Sequence, residues 1–428
     1  MRSIPHITIQ SMMMRCLVIL LISSSLAPQS SIISAQDVDS IFIEQASVEL
    51  KELFAEAQYD SFLVYSNNLI TRLSSNEELH ASTIAKYHND QGVVHHRLHQ
   101  YDLSLESFLE ALYVLQKYDV RPASQINLLR NVGITYQNNG EWRTAASYYN
   151  KAIEYGHENI DRSLRVKSKL LSVLIQKSRH YETKGLLVEA LHVAQRAELI
   201  ADEHYENPGW EHFECYAQIG HIYDRLYADE KGAYYLVLAL EISETQNLPS
   251  SVGLESVYDG LGHIYQRQGR YEDALRFQNL LLDYYNHIYG PKHCFLSVPY
   301  SSLSGIYEDI EELEQANYYM DEALRLADTD DPDIEIKSQI FREAGDFYAR
   351  RGDFNESIDL LEKSLASLDI DGQDSDLAAF GTFTTLTLEG LSSVYLDKYE
   401  IVNDTTILNK AITYGIKSKI IFDYLLYD

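Results

Sequence analysis

The stretch LGHIYQRQGRYEDALRFQNLLL, Leu261–Leu282, reads as two short amphipathic helices joined by a Gly269-Arg270-Tyr271 turn. Gly262 and Ala274 are small, and Tyr265 and Tyr271 are large. The same order returns along the chain. Residues equivalent to Gly262 are Leu50, Gly92, Gly133, Ser178, Gly220, Ser304, Gly345 and Ser392, with steps of 42, 41, 45, 42, 42, 42, 41 and 47 from one to the next. Three residues on stands an aromatic: Tyr136, Tyr181, Tyr223, Tyr265, Tyr307, Tyr348 and Tyr395, with Leu53 and His95 as departures. Twelve residues on is a second small site, held by Ser104, Ala145, Ala190, Gly232, Ala274, Ala316 and Ser357, with Phe62 as the exception. Seven further on is a third, at Ala111, Ala152, Ala197, Ala239, Ala323 and Ser364, with Leu69 and Leu281 larger.

Two antiparallel helices approach closely only where a side chain is nearly absent, and a flanking ring fills the space beside the contact. One helical pair cannot bury its apolar face alone, so copies stack into a continuous core. The expected fold is therefore all-α: an α-solenoid of antiparallel helix pairs, about eight to nine repeats long. Short breaks recur between units (RPAS, ENPGW, LPSS, GPKH, DDPD), and their prolines Pro122, Pro208, Pro249, Pro291 and Pro332 suit a helix stop and the first turn of the next helix. Pro299 falls late enough to predict a delayed start or a kink.

The chain has 428 residues and no composition break. A solenoid lifts the usual size limit on one core, because each unit touches only its neighbours. Its formal charge of −29, from 35 basic and 64 acidic residues, argues against nucleic acid and anionic membrane as main partners. Residues 1–35 differ from the rest. Arg2 and Arg15 precede the apolar run CLVILLI, and SSSLAPQSSIISA follows. That is the layout of a secretory signal peptide, with cleavage expected after Ala35 and Met14 a tighter start than Met1. The run is too short for a spanning helix, which needs ~20 apolar residues. An exported chain is expected (periplasmic, cell-envelope or secreted), with no transmembrane segment after signal removal. Beyond Cys16 it holds only Cys215 and Cys294, nearly two repeats apart and too far for a disulfide.

The reading divides the chain into a signal peptide at 1–35, a degenerate first repeat at 36–78, a core array at 79–368, an acidic linker at 369–378 and repeat-like helices at 379–428. The unit resembles a tetratricopeptide repeat in its longer form of about 42 residues, as in kinesin-light-chain-like arrays. The turns at Gly269-Arg270-Tyr271 and Gly352-Asp353-Phe354, and the linkers GPKHCFLS and DDPDIEIK, carry the resemblance with the small and aromatic sites. It covers roughly residues 40 to 415. It implies a right-handed superhelix with a concave groove lined mainly by first helices, binding of peptides or protein segments, and no chemistry.

Helical phase places Arg130, Asn131, Asn138, Arg179, Gln218, His221, Arg225, Asp259, His263, Gln266, Arg267 and Arg342 on the first-helix face opposite the small-site contact. The set is polar and locally basic, and fits an acidic or extended segment. His88, His95 and His99 share roughly one face. His95 occupies an aromatic site and His88 points towards the helix contact, so packed core histidines are expected there rather than metal ligands. DIDGQDSD, Asp369–Asp376, lacks the closing glutamate of a calcium loop. No glycine-rich phosphate loop, GxSxG or HExxH occurs. No enzyme, cofactor or metal is expected.

The tail, LEGLSSVYLDKYEIVNDTTILNKAITYGIKSKIIFDYLLYD, reads as two longer helices with Leu391, Tyr395, Ile407, Ala411 and Tyr414 inward. It is similar to the last repeat of exported arrays that precede a CHAT-type peptidase domain. Two functions are therefore expected in competition. One is a self-contained exported scaffold. The other is the regulatory array of a peptidase or signalling protein whose effector is absent from this chain or supplied in trans.

Overall fold

The structure, a computed structural model, describes residues 35–246, 253–329, 333–368 and 374–427. The leader reading, the glycine-bearing part of the acidic loop, Pro249 and Pro332 fall outside these residues. The chain forms two compact units, one ending at Leu69 and one beginning at Ile70.

The first unit holds α1 (Ala35–Ala55) and most of α2 (Tyr59–Leu73). Its sites for small residues carry Leu50, Phe62 and Leu69, all buried. Phe54 lies edge-on to Phe62 at 6.0 Å and to Tyr59 at 6.1 Å.

The second unit is a run of helix pairs: α3 (Glu77–Arg97) with α4 (Tyr101–Lys117), α5 (Pro122–Asn138) with α6 (Trp142–Glu158), α7 (Leu164–Thr183) with α8 (Leu187–His204), and α9 (Trp210–Arg225) with α10 (Asp229–Thr245). There follow α11 (Leu254–Arg267) with α12 (Tyr271–Tyr289), α13 (Ser297–Asp309) with α14 (Leu313–Ala327), α15 (Ile334–Arg350) with α16 (Phe354–Ser367), and α17 (Asp374–Val402) with α18 (Thr405–Tyr427). From α4 on, each second helix packs on its own first helix and on the first helix of the following pair, where one follows. From α5 onward successive first helices also touch. No described helix is long and apolar enough to cross a membrane.

The small sites mark where the helices of a pair meet. A Cβ on Gly133 would lie 2.5 Å from the Tyr149 ring, one on Gly92 2.6 Å from Phe108, and one on Gly220 or Gly345 2.7 Å from Leu236 or Leu361. Where serine replaces glycine or alanine, its buried hydroxyl needs an acceptor. Ser104 donates to the Gly92 carbonyl, Ser178 to Ala190 and Ser304 to Ala316, each at 2.8 Å across the pair. The periodic tyrosines stack on a second periodic set: Tyr136 on Tyr148 at 5.4 Å, Tyr223 on Tyr235 at 5.9 Å and Tyr307 on Tyr319 at 5.1 Å.

Seven residues past each of the first eight sites the backbone turns left-handed: Ala57, His99, Gly140, Gly185, Tyr227, Gly269, Glu311 and Gly352 all have positive φ. This conformation ends one helix and redirects the chain into the next, and a Cβ there costs ~1–2 kcal/mol. Glu311, with φ of 65°, carries that strain. Glu311→Gly should therefore raise stability by about 0.5–1 kcal/mol in chemical denaturation, after glycine's own entropic cost. A neutral or destabilising result would show that the glutamate side chain compensates.

Pro122 occupies the first position of α5. Pro299 is the third residue of α13, which starts only after a 3-10 turn at Cys294–Leu296, so the delayed start holds and the missing N–H falls where no helical bond is needed. Cys215 and Cys294 are both free and buried. In the last pair, Leu391, Tyr395 and Ala411 are buried with Ile407 and Tyr414 against them, as the tail pattern predicts.

Candidate binding face

A repeat of 42 residues puts residue i of one pair beside residue i+42 of the next, so first-helix side chains meet across the stack. Asn131 donates to Asn89 at 3.1 Å, and Asn138 meets His96 at 3.1 Å. Arg225 reaches Glu182 at 3.2 Å, and Arg267 reaches Asp224 at 2.5 Å and Asp229 at 2.6 Å. Gln266 donates to Asp309 at 2.8 Å, and Arg350 and Arg351 clamp Glu308 at 2.6 and 3.3 Å. Most of these rungs join the fourth residue past one small site to the fifth past the next.

The predicted face residues all lie on first helices, and the structure ties most of them to neighbours. Arg130 donates to Ser172 on α7 and to Asn131. His263 faces Asp259 at 3.6 Å and Ser302 at 3.4 Å. Arg342 pairs along its own helix with Asp346 at 3.4 Å and Glu343 at 3.6 Å. The local basicity read from the sequence is thus largely neutralised at Arg225, Arg267 and Arg342.

Arg179, Gln218, His221 and Arg225 come together. With Glu182, Trp210, Phe213, Glu214 and Glu255 they line an open pocket of about 380 Å³ across α7, α9 and α11. Glu182 is its anchor. Gln218 donates to it at 2.7 Å, His221 Nε2 lies 3.0 Å away and Arg225 3.2 Å, while the carboxylate is only 9% exposed. Burial pushes the Glu182 carboxyl up, but bonding and charge from His221, Gln218 and Arg225 outweigh it and hold it at about 2. Burial lowers His221, yet the Glu182 carboxylate, with Asp224 and Asp259, raises it above its ordinary 6.5. The His221 Nδ1 is buried without a partner among the described residues.

One wall of the pocket is apolar. Trp210 stacks on Phe213 at 5.5 Å and 17°, and Trp210 stays 37% exposed. The other wall leads to a basic cluster. Burial pushes the Glu214 carboxyl up, and Arg179 and Arg130 beside it only partly offset that. Burial lowers Lys169, and Arg130 and Arg165 lower it further by repulsion. Arg130, Lys169 and Arg179 thus share this region with two carboxylates, Glu214 and Glu211. Phase analysis missed Glu182 because it sought one face of one helix, whereas Glu182, Asp224 and Glu308 recur with basic partners one repeat on. Trp210 was missed because ENPGW reads as a linker, yet it opens α9.

His88 and His95 are half-buried rather than packed in the core. The turn offers a nearer polar partner, and His95 meets Gln100 at 2.8 Å. His99 is exposed beside Tyr101 at 3.0 Å. Among the described residues no group of three or more His, Cys, Asp or Glu is placed to hold a metal.

The tetratricopeptide-repeat family profile matches residues 82–155 and 253–329. No curated protein matches the chain. Among solved structures, the apo form of RapI is similar at 13% identity over 77% of this chain and 98% of that one, with a TM-score of 0.51. A tetratricopeptide repeat protein from Parabacteroides merdae is similar at 14% identity, over 71% and 98%, with a TM-score of 0.44. BtubC from P. vanneervenii is similar at 18% identity, over 53% and 91%, with a TM-score of 0.44. The profile meets the chain in two separate stretches, which therefore carry tetratricopeptide repeats, and helix pairs with the same contact pattern lie between and after them.

Proposed function

We propose that the chain is an exported, non-catalytic scaffold that binds an extended, acidic protein segment across the first helices α7, α9 and α11. The observation that carries this reading is the pocket across the first helices: an exposed indole on a stacked ring at one side, with Arg179 among the lining residues and Arg130 and Lys169 close to Glu214. A side chain of the segment rests on Trp210, and a carboxylate meets the basic cluster by charge-assisted bonds. Export rests on the basic, apolar and small-residue order of residues 1–35.

The test places a photocrosslinking side chain at position 210, and a second at exposed Glu272, in the full chain expressed in its own cells. A partner trapped from position 210, lost with Arg179→Glu and not trapped from 272, is the expected result. Equal trapping at both positions, or survival of the crosslink in Arg179→Glu, would move binding off this face. Arg225 and Arg267 are unsuitable for this test because their loss would loosen the stack itself.

A further inference from the structure

One charge in the Trp210 pocket is left unmatched. Glu182 is held by Gln218, His221 and Arg225, and Arg179 lies near Glu214 and donates to Gln218 at 3.2 Å. Glu255, in the first turn of α11, lines the same pocket and forms no ion pair among the described residues. Its Oε2 is buried there without a hydrogen-bond partner. A buried carboxylate oxygen loses its water and is costly to leave unpaired. The neighbouring stretch 247–252, NLPSSV, holds no basic residue that could neutralise it.

The start of α11 sits against the aromatic wall. A Cβ on Gly253, two residues before Glu255, would lie 3.6 Å from the Phe213 ring, and Phe213 carries the stacked Trp210. The chain's other tryptophan, Trp142, has Lys184 over its ring at 5.9 Å. No basic group among the described residues lies over Trp210, which stays exposed. The field at this end of the pocket is negative. Burial pushes the Tyr284 and Tyr285 hydroxyls up, and Glu255 pushes both further, with Asp259 acting on Tyr285 as well.

A bare indole face and an unpaired carboxylate oxygen at one end of a pocket suit one kind of ligand group, a flat cation with several N–H donors. We propose that the segment bound in this pocket places an arginine between Trp210 and Glu255, a few residues from the carboxylate that meets Arg179. This inference rests on the reading of the pocket as a peptide site and gives its ligand both signs of charge. The guanidinium stacks on the indole and donates to Glu255 Oε2. A lysine ammonium fits less well, because it is a point charge that cannot stack.

The probes are fluorescein-labelled heptapeptides taken from a randomised library selected on the full chain at physiological salt. The binders should carry an arginine with an aspartate or glutamate within a few positions. Citrulline keeps the shape of arginine without its charge. In anisotropy titrations, citrulline for arginine should raise Kd at least about tenfold on the wild type and less than about twofold on Glu255→Gln or Trp210→Leu. Glu272→Gln, at an exposed position, should keep the full penalty, which separates the pocket from the general attraction of a chain of charge −29. The denaturation midpoint of Glu255→Gln should equal that of the wild type or exceed it, because an unpaired charge is removed.

Binders without arginine, or a citrulline penalty that survives Glu255→Gln, would overturn the proposal. So would a lowered midpoint in Glu255→Gln, since the carboxylate would then have a structural partner already. If Arg179→Glu still removes the contribution of the peptide's own carboxylate, the peptide site stands and only the arginine assignment falls. If no library binder depends on Arg179 or Trp210, the peptide site is lost and the arginine with it.

Discussion

Gly133→Ala is expected to destabilise the array by up to about 2 kcal/mol, although alanine is the better helix former. The new Cβ would lie 2.5 Å from Tyr149 Cε1 and 2.8 Å from Cδ1. The Tyr149 ring cannot withdraw. It is fully buried, its hydroxyl donates to Gln137 at 3.0 Å, and its edge meets His180 at 5.5 Å. His180 is held in turn by Gln137 at 3.0 Å. Overpacking a rigid core costs ~1–3 kcal/mol, while replacing helical glycine gains ~1 kcal/mol, so the clash wins. Gly262→Ala is the matched control. Its Cβ would meet the Gln278 side-chain amide, the far end of a flexible chain that can turn aside. That variant should be neutral or slightly stabilising. Denaturant midpoints for the two, with hydrogen exchange over α5 and α6, decide the matter. Equal losses would mean that ring rigidity is not what sets the cost.

Glu182→Ala is expected to cost about 3 kcal/mol at pH 6, concentrated between α7 and α9. The carboxyl sits at about 2 against an ordinary 4.5, and each unit is worth ~1.4 kcal/mol. Truncation also leaves Gln218, His221 and Arg225 without their shared acceptor. Arg225→Ala should cost less, because the Arg225 side chain is 40% exposed and water can replace its partner. A depressed acid stabilises fully above its unfolded value, so the Glu182 contribution is present above pH 4.5 and fades as pH falls towards 2. A raised histidine acts oppositely: the His221 contribution is present below 6.5 and fades as pH climbs through its folded value. The gap between wild type and Glu182→Ala should therefore narrow below pH 4.5. A gap that persists undiminished at pH 3 would mean that Glu182 matters for packing and not for charge.

These two residues also separate what was legible from what was not. Gly133 was legible because its constraint repeats: a small residue is needed wherever two helices of a pair cross, and eight crossings write the same demand into the chain at near-constant steps. The rings at Tyr148, Tyr235, Phe277 and Tyr319 recur fifteen residues past four of the small sites, with Ser107, Val193 and Leu360 as departures, and could have been found by the same count. Glu182 carries no such mark within its own unit. Its partner is chosen by the next unit, where position five holds Arg225, so the pair exists only when two units are laid side by side.

The sequence by itself determined the helix pairs, their close contacts, the turns between them and the all-α stack, because each is imposed by backbone geometry that recurs about every 42 residues. The tertiary structure alone decided which polar residues are tied up and which remain available. Stacking joined Arg225 and Arg267 to carboxylates a repeat away, brought Trp210 from an inter-unit break to a pocket wall, and gathered Arg130, Lys169 and Arg179 around Glu214. Local steric demands are written along the chain, whereas charge pairing and exposure depend on neighbours that only folding supplies.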